Sequence, residues 1–578
     1  MTDRPDASTD AQTDEAMAEP MDEIAPGRSR TAMQGILASS ALMAVGTLFS
    51  RFSGLIRSVL LAAALGSATI AADGYTVANT IPNMLYILLA GGVFNAVLVP
   101  QLVRALKNDP DGGEAYTHRI ITLGLLFLGT VTVLLVVFAP LLMRVVLDGK
   151  WFDDDLAVAL DSVITLARWC LPQVFFYGMF TLVGQVLNAR GSFGPMMWAP
   201  IANNLIAVGV LATYLFTYGP VAGLVADGHF TDGQMALLGL GSTVGIAVQL
   251  LVLLPFLRRA GYRFRPRFDF RGTGLGHTLR LGIWTVLFVV VNQVAYVVVV
   301  RLLSDGTASG EAGQFVYSNA YMITLLPHGV ITVSLVTALL PRLSAFAAEH
   351  DGRSLGRTLT STLRTALLMV LPFAAVLPIL GTDVANVLYG YGASKGEASA
   401  YAGALAFFGV ALVFFTVHYF MLRGFYALER TRTVFLIQLV VAGVNITAAL
   451  VFTALAPAGH GPAALAAAYA SAYACGAGVS WLVLRRALGG LDGPRMLRFA
   501  VRIGLVTAVA SAVSWGVWWL LGGSDAVPTP ATSFVRGAVV GVVHLGLFLA
   551  LARLLHIREL TELLGPLLTS VRRRLPGR

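Results

Sequence analysis

Apolar runs of about 20 residues recur along this chain, among them Ile120–Phe138, Ala236–Phe256 and Ile283–Val300; each, as a helix, is long enough to cross roughly 30 Å of hydrocarbon. A soluble core needs no such runs. Spans are predicted near residues 34–64, 72–104, 120–146, 156–188, 194–218, 234–257, 278–303, 313–341, 359–390, 398–422, 433–456, 462–484, 499–521 and 533–555, about 14 in all, with boundaries good to about four residues. The expected fold class is an all-α membrane protein. Composition agrees, at 56% hydrophobic and only 12% charged, against roughly 25% charged in ordinary soluble domains.

Met1–Arg30 is polar and rich in Asp and Glu. It reads as a disordered cytoplasmic tail rather than a cleavable signal. From an inside N-terminus, the even-numbered loops carry Arg104, Lys107 and Arg119, then Arg190, then Arg258, Arg259, Arg263, Arg265, Arg267 and Arg271. Arg342, Arg353 and Arg357, Arg423, Arg430 and Arg432, and Arg485, Arg486, Arg495 and Arg498 continue the series. The odd loops carry Asp148, Asp153, Asp154, Asp155, Asp227, Asp232, Asp305 and Glu311 instead. This alternation follows the positive-inside rule and predicts a multi-pass protein of the bacterial cell membrane with both termini cytoplasmic, Arg572–Arg574 included. The same pattern accounts for the net charge of +9, so nucleic acid is not an expected partner.

The chain also repeats itself. Asn79, followed by Pro100-Gln-Leu-Val-Arg, is echoed by Asn319, followed by Pro341-Arg-Leu-Ser, and Leu187-Asn-Ala-Arg is echoed more weakly by Tyr426-Ala-Leu-Glu-Arg. The period is about 240 residues and spans an even number of helices, so the copies share one orientation and should be related by an axis along the membrane normal. The expected division is a tail (1–32), an N-lobe of six spans (33–258), a C-lobe of six spans (259–490) preceded by a basic loop, and two further helices with a basic tail (491–578).

No phosphate-binding glycine loop, metal-ligand cluster or nucleophile motif occurs, so neither a cofactor, nor a metal site, nor an enzymatic activity is expected. Cys170 and Cys475 fall in apolar stretches and read as small buried hydrophobes. The informative residues are charges within spans, since each costs at least about 2.5 kcal/mol near the bilayer centre unless it faces a cavity or a partner. Arg51 and Arg57 lie six residues apart in the first span, about 120° around an ideal helix, and Asp73 opens the second. Guanidinium pairs suit bidentate capture of phosphate; the plainer alternatives are snorkelling to an interface or pairing with Asp73. Pro82 and Asn83 predict a kink in the second span. Asn292, Gln293, Asn319, Asp383 and His418 are further polar candidates, residues that in membranes more often join helices than bind ligands; Asp383 is placed by its position near the outer interface.

Ser50-Arg-Phe-Ser-Gly-Leu-Ile-Arg57, Ala72-Asp73-Gly-Tyr, Thr80-Ile-Pro-Asn83 and Gly92-Val-Phe-Asn-Ala-Val-Leu-Val-Pro100 resemble the MurJ (MviN) family of lipid II flippases. Leu326-Pro-His-Gly-Val330 and Leu340-Pro-Arg-Leu343 resemble that family's eighth helix, and the likeness extends over nearly the whole chain. It implies a multidrug/oligosaccharidyl-lipid/polysaccharide exporter fold with two lobes around a cationic cavity. The two extra helices would groove the polyprenyl tail, and transport would proceed by alternating access. It further implies that Arg51, Arg57 and Asp73 engage or gate the head group of lipid II; Asn83, Tyr86 and Asn319 are the further candidate substrate contacts, and membrane lipids and cell-wall synthases the further candidate partners. The pattern is incomplete: Tyr86 and Met322 stand where many members carry cavity arginines, and the seventh and eleventh spans lack the acids of the family's sodium site. A drug/cation antiporter, a flippase for another polyprenyl-linked oligosaccharide, and a membrane scaffold for cell-wall synthases are the alternatives.

Overall fold

The computed structural model describes residues 46, 49–89, 92, 99–270, 275–523 and 528–563. The expected N-terminal tail, Arg271 and Arg572–Arg574 lie outside them. Among the described residues, twelve helices are long and apolar enough to cross a membrane. The helix over 49–65 (α1) and α2 (Ile70–Ile87) belong to the two remaining predicted spans, both of which run into residues outside the described set.

The spans are less continuous than their hydropathy suggests. The described parts of the second predicted span are α2 and α3 (Val99–Asn108), and the third divides into α4 (Glu114–Val137) and α5 (Ala139–Val146). The fourth divides into α6 (Ala157–Cys170) and α7 (Gln173–Ala189) at Leu171-Pro172, where proline removes a helix donor. Then follow α8 (Gly194–Tyr218), α9 (Asp232–Leu251), α10 (Leu253–Arg259) and α11 (Leu275–Ala308). The eighth predicted span is α12 (Gln314–Pro327) and α13 (Val333–Ala348), joined by a π-helical turn over His328–Thr332. The remainder are α14 (Gly352–Tyr389), α15 (Ala402–Ala427), α16 (Thr431–Leu455), α17 (Gly461–Leu488), α18 (Gly493–Leu520) and α19 (Pro530–Leu554). Pro82, expected to kink α2, is carried within that helix, which turns π-helical only at residues 88–89.

Two sets of helices pack internally. In one, α2 lies on α6 and α7, α8 on α9, and α4 on α7; in the other, α15 lies on α14 and α17, and α16 on α11 and α17. The pair α18–α19 packs on α14. At the end of the molecule that bears Asp148, Asp227 and Glu311, the acidic end, one apolar cluster draws on both sets, from Leu61, Ala72 and Trp151 to Phe315, Tyr401 and Leu465. Toward the opposite, basic end the core divides: one cluster forms around Leu102, Phe180 and Tyr262, and another around Leu343, Phe425 and Phe499. The two sets are therefore joined at the acidic end and separately packed at the basic end.

Candidate functional site

A cavity of about 600 Å³ lies between the two sets. Its lining comes from α1, α2, α7, α8, α9, α11, α12, α16 and α17, and Arg57 is the only charged side chain among the described residues lining it. Around Arg57 the wall is amide and aromatic: Asn79, Asn83 and Gln173 on one set, Asn292, Gln438 and Asn445 on the other, with tyrosines including Tyr75, Tyr469 and Tyr473. Many of these polar groups are tied into the wall, since Gln173 Nε2 donates to Asn79 Oδ1 at 3.1 Å and Gln438 Nε2 to Asn292 Oδ1 at 2.8 Å. Gln293 Nε2 donates to the Met84 carbonyl at 2.6 Å, joining α11 to α2. The amide of Asn445, in contrast, has a buried oxygen with no protein partner. Such a wall offers hydrogen bonds to a hydroxyl- and amide-rich solute and one guanidinium to an anion.

The six expected contact residues part company. Arg57, Asn83 and Asn319 line the cavity; Arg51, Asp73 and Tyr86 are not among its lining residues. Arg51, six positions earlier and about 9 Å back along α1, lies against Gly329 in the π-helical turn. A Cβ at Gly329 would meet the Arg51 guanidinium at 2.6–2.8 Å, so glycine is what permits this approach between the sets. α1 is held in this register by Asn204, whose Nδ2 donates to the Ser50 carbonyl and to Ser53 Oγ, both at 2.9 Å. Tyr86 packs on Tyr177, with ring centroids 4.7 Å apart.

Asp73 pairs with neither arginine. It is 1% exposed and accepts from Thr307 Oγ1 at 2.7 Å and from the Phe315 backbone N–H at 2.6 Å, joining the first turn of α2 to α11 and to the start of α12. Gly313 leaves room for this, since a Cβ there would meet Asp73 Oδ2 at 2.5 Å. Nearby, Glu397 Oε2 accepts from the Ser67 and Ala68 backbone N–H groups at 2.6 and 3.2 Å, and the Tyr401 hydroxyl donates to Ser67 Oγ at 2.8 Å. Together these contacts close the cavity toward the acidic end. At its rim Lys150 Nζ lies 2.6 Å from Asp305, and that hydrogen bond lifts the Lys150 ammonium above the ordinary lysine range.

Asp383 has a partner besides its position near the helix end: it forms a buried ion pair with Arg536 of α19, donated by Arg536 Nη2 at 2.5 Å and Nε at 3.0 Å, with Trp518 Nε1 adding a third donor at 2.8 Å. His418 is likewise buried, with Nδ1 3.3 Å from Ser480 Oγ. Gln173, Asn203, Gln438 and Asn445 are wall residues that sequence reasoning passed over; their only signal was an amide inside an apolar span. Both cysteines are free, Cys170 buried and Cys475 partly so.

A family model described as "Lipid II flippase MurJ" matches residues 61–523. The chain belongs to the MurJ family of lipid II flippases. A probable lipid II flippase MurJ of Rhizobium meliloti (strain 1021) is 28% identical over 483 residues, covering 82% of this chain and 85% of that protein. The Haemophilus influenzae relative of the same description is 26% identical, covering 67% and 75%. Among solved structures, a MurJ in an inward closed conformation matches with a TM-score of 0.67 at 18% identity, over 89% of this chain and 99% of that one. An inward-facing multidrug resistance transporter of the MATE family matches at 0.60 and 15% identity, over 78% and 99%; these structures share the fold. MurJ membership agrees with a polytopic transporter architecture whose cavity carries no carboxylate among its described lining residues.

Proposed function

We propose that this chain moves lipid II, the undecaprenyl-pyrophosphate-linked disaccharide-pentapeptide, from the inner to the outer leaflet of a bacterial inner membrane by alternating access. Both termini are cytoplasmic in this reading, the basic end faces the cytoplasm, and residues 33–258 and 259–490 act as N- and C-lobes. The observation that carries it is Arg57 as the sole charge among the described residues in a wall of amides and tyrosines, a lining suited to a glycopeptide head bearing phosphate. Arg57 holds phosphate oxygens, while Asn83 and Asn319 face the sugars and peptide. Asp73 acts at a distance, by holding the acidic end closed while the head group enters from the basic end. The polyprenyl chain stays in lipid along α18 and α19. Membrane potential favours passage of the anionic head toward a positive exterior, by about 2.3 kcal/mol per charge per 100 mV. A drug/cation antiporter would need a carboxylate in the cavity wall, and a scaffold for cell-wall synthases would need no cavity cation.

The test is replacement of an essential lipid II flippase in a depletion strain by the native chain or by Arg57→Ala, expressed equally, with outer-leaflet lipid II quantified. The expected result is restoration by the native chain and a loss of roughly ten- to a hundredfold in the variant, the scale of a charge-assisted phosphate contact. A well-inserted native chain that leaves lipid II inside would overturn the substrate assignment. A fully active Arg57→Ala would overturn the cavity mechanism.

A further inference from the structure

Arg57, the one arginine among the described residues lining the cavity, is a sparse complement for a diphosphate. The structure holds two more guanidinium groups nearer the basic end. From the cavity tyrosines a ladder of rings descends through the second helix set: Tyr469 to Tyr473 with centroids 4.5 Å apart, Tyr473 to Phe415 at 5.0 Å, Phe415 to His328 at 4.6 Å and His328 to Tyr419 at 4.9 Å. It ends on Arg423, whose guanidinium carbon lies 4.3 Å from the Tyr419 ring centroid and which donates to the Tyr419 hydroxyl. Arg51 comes from the other helix set to Gly329, the residue next to His328.

Four features mark this cluster as unfinished. Among the described residues neither Arg51 nor Arg423 has a carboxylate within ion-pair distance. Arg423 Nε is buried without an acceptor. His328, 6% exposed, has an Nδ1 without a partner. The backbone that carries it is a π-helical turn, a form that costs regular hydrogen bonding and recurs at functional sites. Two like charges gathered around a buried, unpartnered imidazole are stabilised by an anion between them.

We propose that Arg423 and Arg51 form a second phosphate-binding station, about 9 Å nearer the basic end than Arg57 measured along α1, which takes the diphosphate of the polyprenyl-linked substrate before Arg57 does. Arg423 supplies a positive charge beyond that of Arg57 in the cavity. Because its two arginines belong to opposite helix sets, an anion held there also spans the gap between them at the basic end. The inference rests on the lipid II reading above.

The test is binding of undecaprenyl pyrophosphate and of lipid II to the full chain in phosphatidylcholine nanodiscs, comparing native protein with Arg423→Gln, Arg423→Lys, Gly329→Ala and Arg57→Gln. Arg423→Gln should weaken both ligands about tenfold or more, the range of one charge-assisted contact. Arg423→Lys should recover part of that loss, and Gly329→Ala, which displaces the Arg51 guanidinium, should weaken binding as well. Native affinity in Arg423→Gln, with Arg57→Gln impaired, overturns the second station and leaves the function standing. Failure of the native chain to bind either ligand overturns the function itself. Should Arg423→Gln not fold, as read by its melting temperature, Arg423→Lys and Gly329→Ala decide: native affinity in both overturns the station.

Discussion

Two buried aspartates near the acidic end are each 1% exposed and are satisfied in opposite ways. Asp383 meets a guanidinium and an indole N–H, and with Asn386, which donates to the Pro528 carbonyl and to Ser533 Oγ at 2.8 and 3.0 Å, it fastens α18–α19 to α14. Arg364 and Glu559, 3.0 Å apart, repeat the fastening at the basic end. Among the described residues Asp73 meets a hydroxyl and peptide N–H groups, and Glu397 peptide N–H groups, with no cation within ion-pair distance of either. The first arrangement leaves an uncompensated charge if it separates, and it marks a junction meant to stay. The second has no cation to strand, so its partners can part and be resolvated at modest cost, as a gate requires.

The comparison is most severely tested by Arg536→Ala. Removing one partner of a buried ion pair typically costs about 3–5 kcal/mol, so the variant should show a clearly lowered melting temperature in detergent; an unchanged value would mean that Asp383 is not held as a charged partner. Asp73→Asn retains size but turns one acceptor into a donor, leaving either Thr307 or the Phe315 N–H unmatched. A loss of about 1–3 kcal/mol should appear as a shift toward an open acidic end, read as longer spin-label distances between α2 and α12, with little change in melting temperature. If the melting temperature falls and the distances do not move, Asp73 is a fastener like Asp383. Thr307→Val removes one neutral partner and should produce the same shift at about 1 kcal/mol.

The smallest effect belongs to the rim. Lys150→Met, at a side chain half exposed, should change stability by no more than about 1 kcal/mol. Since the folded Lys150 ammonium is raised by Asp305, its contribution is complete below the unfolded lysine value of about 10.4 and is lost only as pH rises through the higher folded value. Titration from pH 6 to 9 should therefore leave the rim contact unchanged, and a change within that window would contradict the pairing.

Membrane class and family were legible because apolar length and loop charge are local properties of the chain. The site was half legible. Arg57 was marked by its charge within a span, but which of Arg51 and Arg57 would enter the cavity depends on the rotation of α1, fixed by Asn204, a residue about 150 positions away. The partner of Asp383, 153 residues on in another helix, and the Asp73 contact with Thr307, which spans 234 residues, are tertiary pairings that no local pattern announces. Asn445 and Gln438 could not be told from helix glue, since the same amide serves both purposes and only packing decides.

The apolar cluster shared by both helix sets at the acidic end has a calorimetric consequence. To release a head group on that side, Ala72 and Trp151 must separate from Phe315 and Leu465, and water must enter between them. Hydrating apolar surface raises heat capacity, so the outward step should carry a positive heat-capacity change. Transport rates plotted against reciprocal temperature should then curve, with warming progressively steepening the cost in enthalpy while easing it in entropy.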